Sequence, residues 1–183
     1  MIKTKEDLRH YLQEDKNWHG KKRLFIKWLT RSDDLYVVRF MYALRHYEYY
    51  LNKQRGILDI IPYYFWWWNY RRLKLKSGLF IVPNVLGAGV DIVHPGFVRI
   101  SGYVKIGNNC TILPMVLFGK KKPNEESDII VGDNVYISTG VTILGPVTIG
   151  NNVTIGAGAV VNKDVPDNCV IGGVPAKLLK YKE

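Results

Sequence analysis

Between Val131 and Pro166 the chain repeats every six residues, as VGDNVY, ISTGVT, ILGPVT, IGNNVT, IGAGAV and VNKDVP. An aliphatic residue opens each block, a Val or Ala follows four places later, and Gly, Asn and Asp fill most of the positions between. A period of six fits neither the 3.6-residue helix nor two-fold alternation along one strand, so it predicts a short strand and a sharp turn, repeated. No single repeat can bury its apolar residues; stacked coils, with the opening residue and the small one turned inward, build a continuous aliphatic core. Gly132, Asp133, Asn134, Asn151 and Asn152 fall at the corners, where the backbone needs left-handed or bridge conformations. The beat begins earlier, at Leu86, as LGAGVD and IVHPGF, slips by two residues, and resumes from Ile100, Ile106 and Ile112. It is lost in FGKKKPNEESDII, which predicts a projecting loop over 118–130.

The first part of the chain has a helical period. Thr4 and Asp7 form a capping pattern, with Leu8, Tyr11 and Leu12 as an apolar stripe behind it. Leu24, Phe25, Trp28 and Leu29 predict a short second helix, and Ser32 or Asp33 caps a longer one along which Leu35, Val38, Met41, Leu44 and Leu51 recur at threes and fours. A helical region over 1–78 followed by a coil domain over 79–183 is the expected division.

The segment GILDIIPYYFWWWNYRRLKLKSG, 56–78, has no such order. Its apolar part is too short to span a bilayer and is broken by Asp59 and Pro62. Aromatic residues followed by Arg71, Arg72, Lys74 and Lys76 fit an interfacial helix against anionic lipid, and also a helix packed on the coils or on another subunit, the reading preferred here.

A net charge of +10 admits nucleic acid, a membrane surface or an anionic small ligand. No nucleic-acid recognition motif accompanies it, so nucleic acid is not an expected partner. Cys110 and Cys169 read as packed free thiols of a reducing compartment, and the charged start MIKTKEDLRHYLQ carries no secretory pattern, so a cytoplasmic protein is expected, with peripheral contact at the inner membrane face through 56–76 as an option. His10, His19 and His46 have no metal-ligand spacing, and no metal is expected.

The hexads, GAGAVVNKDVP at 156–166 and GGVPAKLL at 172–179 resemble the hexapeptide-repeat acyltransferases. The resemblance implies a mainly β fold, a left-handed parallel β-helix; the hand comes from it alone, since parallel crossovers otherwise run right-handed. It also implies acetyl-coenzyme A as acyl donor, bound between the β-helices of a homotrimer. Thr139, Ala157, Asn162 and Lys163 are carried over as cofactor-binding residues, with Lys177 and Lys180 as phosphate partners. The stretch LGAGVDIVHPGFVRISGYVKIGNNCTI resembles the serine acetyltransferase branch, where a corner histidine is the general base, which implies that role for His94. Asp91, three residues earlier, is the carboxylate expected to orient its ring. Three departures bear on the acceptor: Val93 rather than an acid precedes His94, Asp128 stands where a second histidine is found in the serine enzymes, and the sequence closes on KYKE. Serine needs charged partners for its ammonium and carboxylate, so a sugar hydroxyl in surface polysaccharide synthesis is the first expectation. A serine O-acetyltransferase of cysteine synthesis is the second, and a noncatalytic solenoid that binds a partner the third.

Overall fold

The computed structural model describes residues 1–19, 34–54, 56–122, 124 and 127–182, with the backbone alone at 17–19. The short helix expected over Leu24–Leu29 and the Ser32 or Asp33 cap lie outside the described residues.

From Leu79 onward the six-residue beat becomes three stacks of parallel strands. Leu79–Ile81, Val98–Ile100, Val116–Lys120, Thr142–Gly145 and Val160–Val161 form the first face. Val104–Ile106, Ile129–Val131 and Val147–Ile149 form the second. Asp91–Ile92, Thr111–Ile112, Tyr136–Ile137, Thr154–Ile155 and Cys169–Gly172 form the third, closed by the antiparallel strand Lys177–Tyr181. Successive coils pair in register, as Ile92↔Ile112, Ile112↔Ile137 and Ile137↔Ile155. Every opening residue of the six hexads (Val131, Ile137, Ile143, Ile149, Ile155, Val161) and every small residue four places on (Val135, Val141, Val147, Val153, Ala159, Val165) is buried. Cys110 occupies one such inward position, and burial raises its thiol to about 11, so it is an inert core residue at neutral pH.

The corners explain the polar half of the pattern. Asn109, Asn134, Asn152 and Asn168 take left-handed backbone, φ 54°, 58°, 55° and 56°, which asparagine tolerates better than other side chains. Side-chain oxygens then tie coil to coil: Asp133 Oδ1 accepts from Asn108 N at 2.6 Å, Asn151 Oδ1 from Asp133 N at 2.8 Å, and Asp167 Oδ1 from Asn151 N at 2.7 Å. At Gly132 a Cβ would sit 2.8 Å from the Gly150 backbone, so a side chain there would push the coils apart.

The loop is smaller than the lost beat suggested. The strand Val116–Lys120 continues through Lys120, paired with Gly145, and the next strand starts at Ile129, leaving 121–128 between them.

Among the described residues three helices precede the coils: α1, Lys5–His19; α2, Asp34–Asn52; and α3, Ile60–Ser77, entered through a 3₁₀ turn at Ile57–Asp59. The cap of α1 is the one expected, with Asp7 N donating to Thr4 Oγ1 at 3.0 Å and Asp7 Oδ2 accepting from Lys3 N and Thr4 N at 2.9 Å. The buried stripe of α2 is turned from the expected one: Val37, Phe40, Met41, Leu44 and Tyr47 face inward, while Leu35, Val38 and Leu51 lie half-buried at its margins. Phe40 and Tyr47 both meet Tyr70 of α3, with ring centroids 5.9 and 5.2 Å apart. Tyr70 in turn donates its hydroxyl to Ile81 O at 2.6 Å, joining α3 to the first coil, and Gly78 ends α3 at φ 74°.

A buried ionic knot fastens the other two helices. Arg45 of α2 is fully buried and donates to Asp15 Oδ2 (2.9 Å), Glu48 Oε2 (3.2 Å), Leu86 O (3.1 Å) and Gly87 O (2.6 Å). Asp15 Oδ1 also accepts from Gly89 N at 3.0 Å, and Glu48 Oε1 from Asn84 N at 2.6 Å. Burial works against the guanidinium charge, but Glu48 and Asp15 more than offset it and hold Arg45 ionised. One arginine thus joins α1, α2 and the turn that leads into the second coil.

Candidate active site

His94 stands two residues past the strand Asp91–Ile92, at a corner of the prism. The register of the third face sets what lies beneath it. Two residues past the paired Ile92, Ile112, Ile137 and Ile155 come His94, Pro114, Thr139 and Ala157, one column along a single corner. Coils rise by about 4.8 Å, so Thr139 lies on the order of 10 Å and Ala157 on the order of 15 Å along the axis from His94. Hydrogen bonds hold this column: Thr139 Oγ1 donates to Pro114 O at 2.8 Å, and Gly158 N to Thr139 O at 2.9 Å. His94, Thr139 and Ala157 are exposed, so the column is an open edge rather than a lining of the core.

The His94 side chain is 62% exposed, and its Nδ1 lies 3.0 Å from Asp34 Oδ1. An ionised carboxylate only accepts, so this contact calls for a proton on Nδ1 and leaves the lone pair of the neutral ring on Nε2. Among the described residues Nε2 has no hydrogen-bond partner. A base with its rear nitrogen anchored and its front nitrogen open is the arrangement that proton removal from a bound hydroxyl requires.

Asp34 is the residue that sequence reasoning missed. It opens α2, sixty positions before the histidine, where an acid at a helix start reads as a cap or a dipole partner. Asp91, chosen for its nearness in sequence, is half-buried at the start of its strand, with its backbone N–H donated to Cys110 O at 2.8 Å.

The remaining candidates fall lower on the prism. Asn162, Lys163 and Lys177 line one shallow pocket of about 100 Å³ together with Val161, Ala176 and Leu178. Lys180 is exposed on the closing strand, in register with Val170, and is not part of that pocket. Among the described residues no three His, Cys, Asp or Glu side chains converge as a metal site.

Residues 128–163 match the family model described as bacterial transferase hexapeptide, six repeats. The chain is 36% identical over 108 residues to the serine acetyltransferase of Synechococcus elongatus, across 58% of this chain and 44% of that enzyme. It is 33% identical over 124 residues to the putative acetyltransferase YvoF of Bacillus subtilis, across 63% of this chain and 66% of the relative. It thus spans about half the length of the serine acetyltransferase it matches. Among solved structures, soybean serine acetyltransferase complexed with serine superposes with a TM-score of 0.70 at 27% identity, over 94% of this chain and 69% of the other. The Brucella abortus serine acetyltransferase in complex with coenzyme A gives 0.71 at 22% identity, over 98% and 70%. The fold is accordingly the left-handed parallel β-helix that the resemblance implied. Residues 128–163 thus carry the bacterial transferase hexapeptide repeat, and by its hexads, its three-sided coils and these likenesses the chain is similar to the serine acetyltransferases.

Proposed function

We propose that the protein is an acetyl-coenzyme A-dependent O-acetyltransferase in which His94 is the general base and Asp34 positions it. The observation that carries this reading is the His94–Asp34 pair at 3.0 Å, at the head of an exposed corner column that includes Thr139 and Ala157. His94 Nε2 takes the proton of the acceptor hydroxyl as its oxygen attacks the thioester carbonyl. Collapse of the tetrahedral intermediate expels the thiolate, which recovers the proton from the imidazolium, so the ring ends as it began. Small residues down the corner allow the pantetheine arm to lie close, and Lys163 and Lys177, with Lys180 nearby, are suited to its phosphates. A second prism beside this corner would enclose the arm, and a homotrimer is the assembly that the reading includes.

On the acceptor, L-serine now stands ahead of a sugar. Relatives named as serine acetyltransferases favour it, and Asp34 supplies, from α2, an acid beside His94 of the kind that Val93 left wanting in the sequence. Val93 itself keeps a neutral hydroxyl substrate as the second reading. Thiol release from acetyl-coenzyme A, followed with L-serine and with a panel of sugars, decides between them. Turnover with serine is expected; turnover with a sugar alone reverses the order, and release with neither removes the transferase reading.

Asp34→Asn keeps the shape of the pair but permits the wrong ring tautomer. We expect kcat to fall about tenfold or more, part of the 10²–10⁴ that general-base help contributes. KM for acetyl-coenzyme A and the melting temperature should stay as in the parent, and Asp34→Glu should recover part of the loss. A parallel fall in melting temperature would instead mark Asp34 as a structural cap.

A further inference from the structure

Helix α3 is apolar on both sides. Its inner face, Tyr63, Trp67, Tyr70 and Leu73, packs on the core, as expected of a helix laid against the coils. The opposite face is apolar as well: Ile61 (81% exposed), Phe65 (56%), Trp68 (54%) and Leu75 (73%) share it, extended by Ile57 and Leu58 of the 3₁₀ turn. A contiguous apolar face left exposed on a helix marks an interaction site.

The charge beside this stripe is of one sign. Arg71 and Arg72 stack on Trp67 and Trp68, 4.9 and 5.0 Å from the ring centroids, and no acidic residue lies within Ile60–Ser77. Asp59, just before the helix, is engaged by Lys53 at 2.5 Å. Between α3 and the first coil is a cleft of about 400 Å³, lined by Trp67, Tyr70, Arg71, Lys74, Leu75 and Phe80. Partial burial and the nearby charges of Arg71 and Arg99 push the Lys74 ammonium below its usual range, and an anion in the cleft would offset that repulsion. Leu75 belongs to both features and joins the cleft to the stripe.

We propose that this face docks on an anionic phospholipid bilayer, with Ile57, Leu58, Ile61, Phe65 and Trp68 entering the headgroup and acyl boundary and the cleft of Arg71 and Lys74 receiving a lipid phosphate. Charge complementarity selects lipid over a second copy of the chain. An isologous contact through α3 would bring two sets of the cations Arg71, Arg72 and Lys76 into one interface with no acid on the helix to pair them, whereas an anionic leaflet attracts all of them. Tryptophan and tyrosine beside arginine and lysine are also the side chains that settle at headgroup depth. The proposal does not depend on the acetyl-transfer reading: it concerns a different face and is read by binding, not by turnover.

The test is co-sedimentation of the full chain with phosphatidylcholine vesicles, with and without about one third phosphatidylglycerol. Anionic vesicles should bind the protein at least tenfold more tightly than neutral ones, with release as salt is raised from low to several hundred millimolar. The triple variant Ile61→Ser, Phe65→Ser, Trp68→Ser, confined to exposed positions, should abolish binding while its melting curve stays that of the parent. The pair Arg71→Glu, Lys74→Glu should remove the preference for anionic vesicles. Equal or absent binding to both vesicle types overturns the proposal. So does a triple variant that binds vesicles as before, or one whose only change is a smaller sedimentation mass, which would assign the stripe to a second copy. Displacement from vesicles by millimolar glycerol phosphate as effectively as by salt would assign the cleft to a soluble phosphate and overturn its lipid role.

Discussion

His94→Ala is expected to lower kcat by about 10² to 10⁴, the usual worth of a positioned base, while the protein folds and melts as before. The stability half follows from exposure: a side chain open over 62% of its surface fills no cavity, and its one bond among the described residues is to a carboxylate that water can serve as well. The catalytic half follows from the column. Thr139 and Ala157 share the corner of His94, so a thioester arm running along that corner would present its acyl end to the imidazole. Because the ring is spared from binding the arm, KM for acetyl-coenzyme A should hardly change, and the loss should fall on kcat and kcat/KM alike, as for a group that acts only in the transition state. Thiol release with L-serine measures all three constants. Unchanged turnover in this variant would return the chain to the noncatalytic solenoid reading.

The coils were legible because each hexad carries its own instructions. Ile137 and Val141 of one block are buried for the same reason as Ile149 and Val153 of another, and the asparagines at 134 and 152 bend the same corner. Repetition turns a weak local signal into a strong one. What escaped depends on contacts that no local pattern encodes. Arg45 and Glu48 are three apart on a helix, a spacing that normally describes a solvated surface pair, and only the arrival of α1 and of the 84–89 turn makes them core. Asp34 meets His94 across sixty residues, so nearness along the chain favoured Asp91. The loop was drawn too long because Gly119 and Lys120 break the hexad while their backbone still pairs with Leu144 and Gly145 of the next coil. The stripe of α2 was legible only in part: Met41 and Leu44 are buried as expected, while counting aliphatics passed over Phe40 and Tyr47, whose rings meet Tyr70.

Arg45→Met should be the most destabilising single change in the helical region, at about 3–5 kcal/mol, since it leaves two buried carboxylates without their cation. For a chain of this size that corresponds to a fall of roughly 6–20 °C in melting temperature. Methionine nearly matches the volume, so the loss reports charge and hydrogen bonds rather than a cavity. Neutralising the carboxylates as well, with Asp15→Asn and Glu48→Gln, should recover part of the stability. It should not recover all, because the Leu86 and Gly87 carbonyls still lose their donor. The knot also holds α2 against the turn that precedes His94, and Asp34 is the first residue of that helix. Below its melting point, therefore, Arg45→Met should reproduce the kcat loss of Asp34→Asn, although Arg45 touches neither the base nor the acceptor. A variant that melts within 2 °C of the parent and turns over at its rate would show that the buried charges do not govern how the helices seat on the coils.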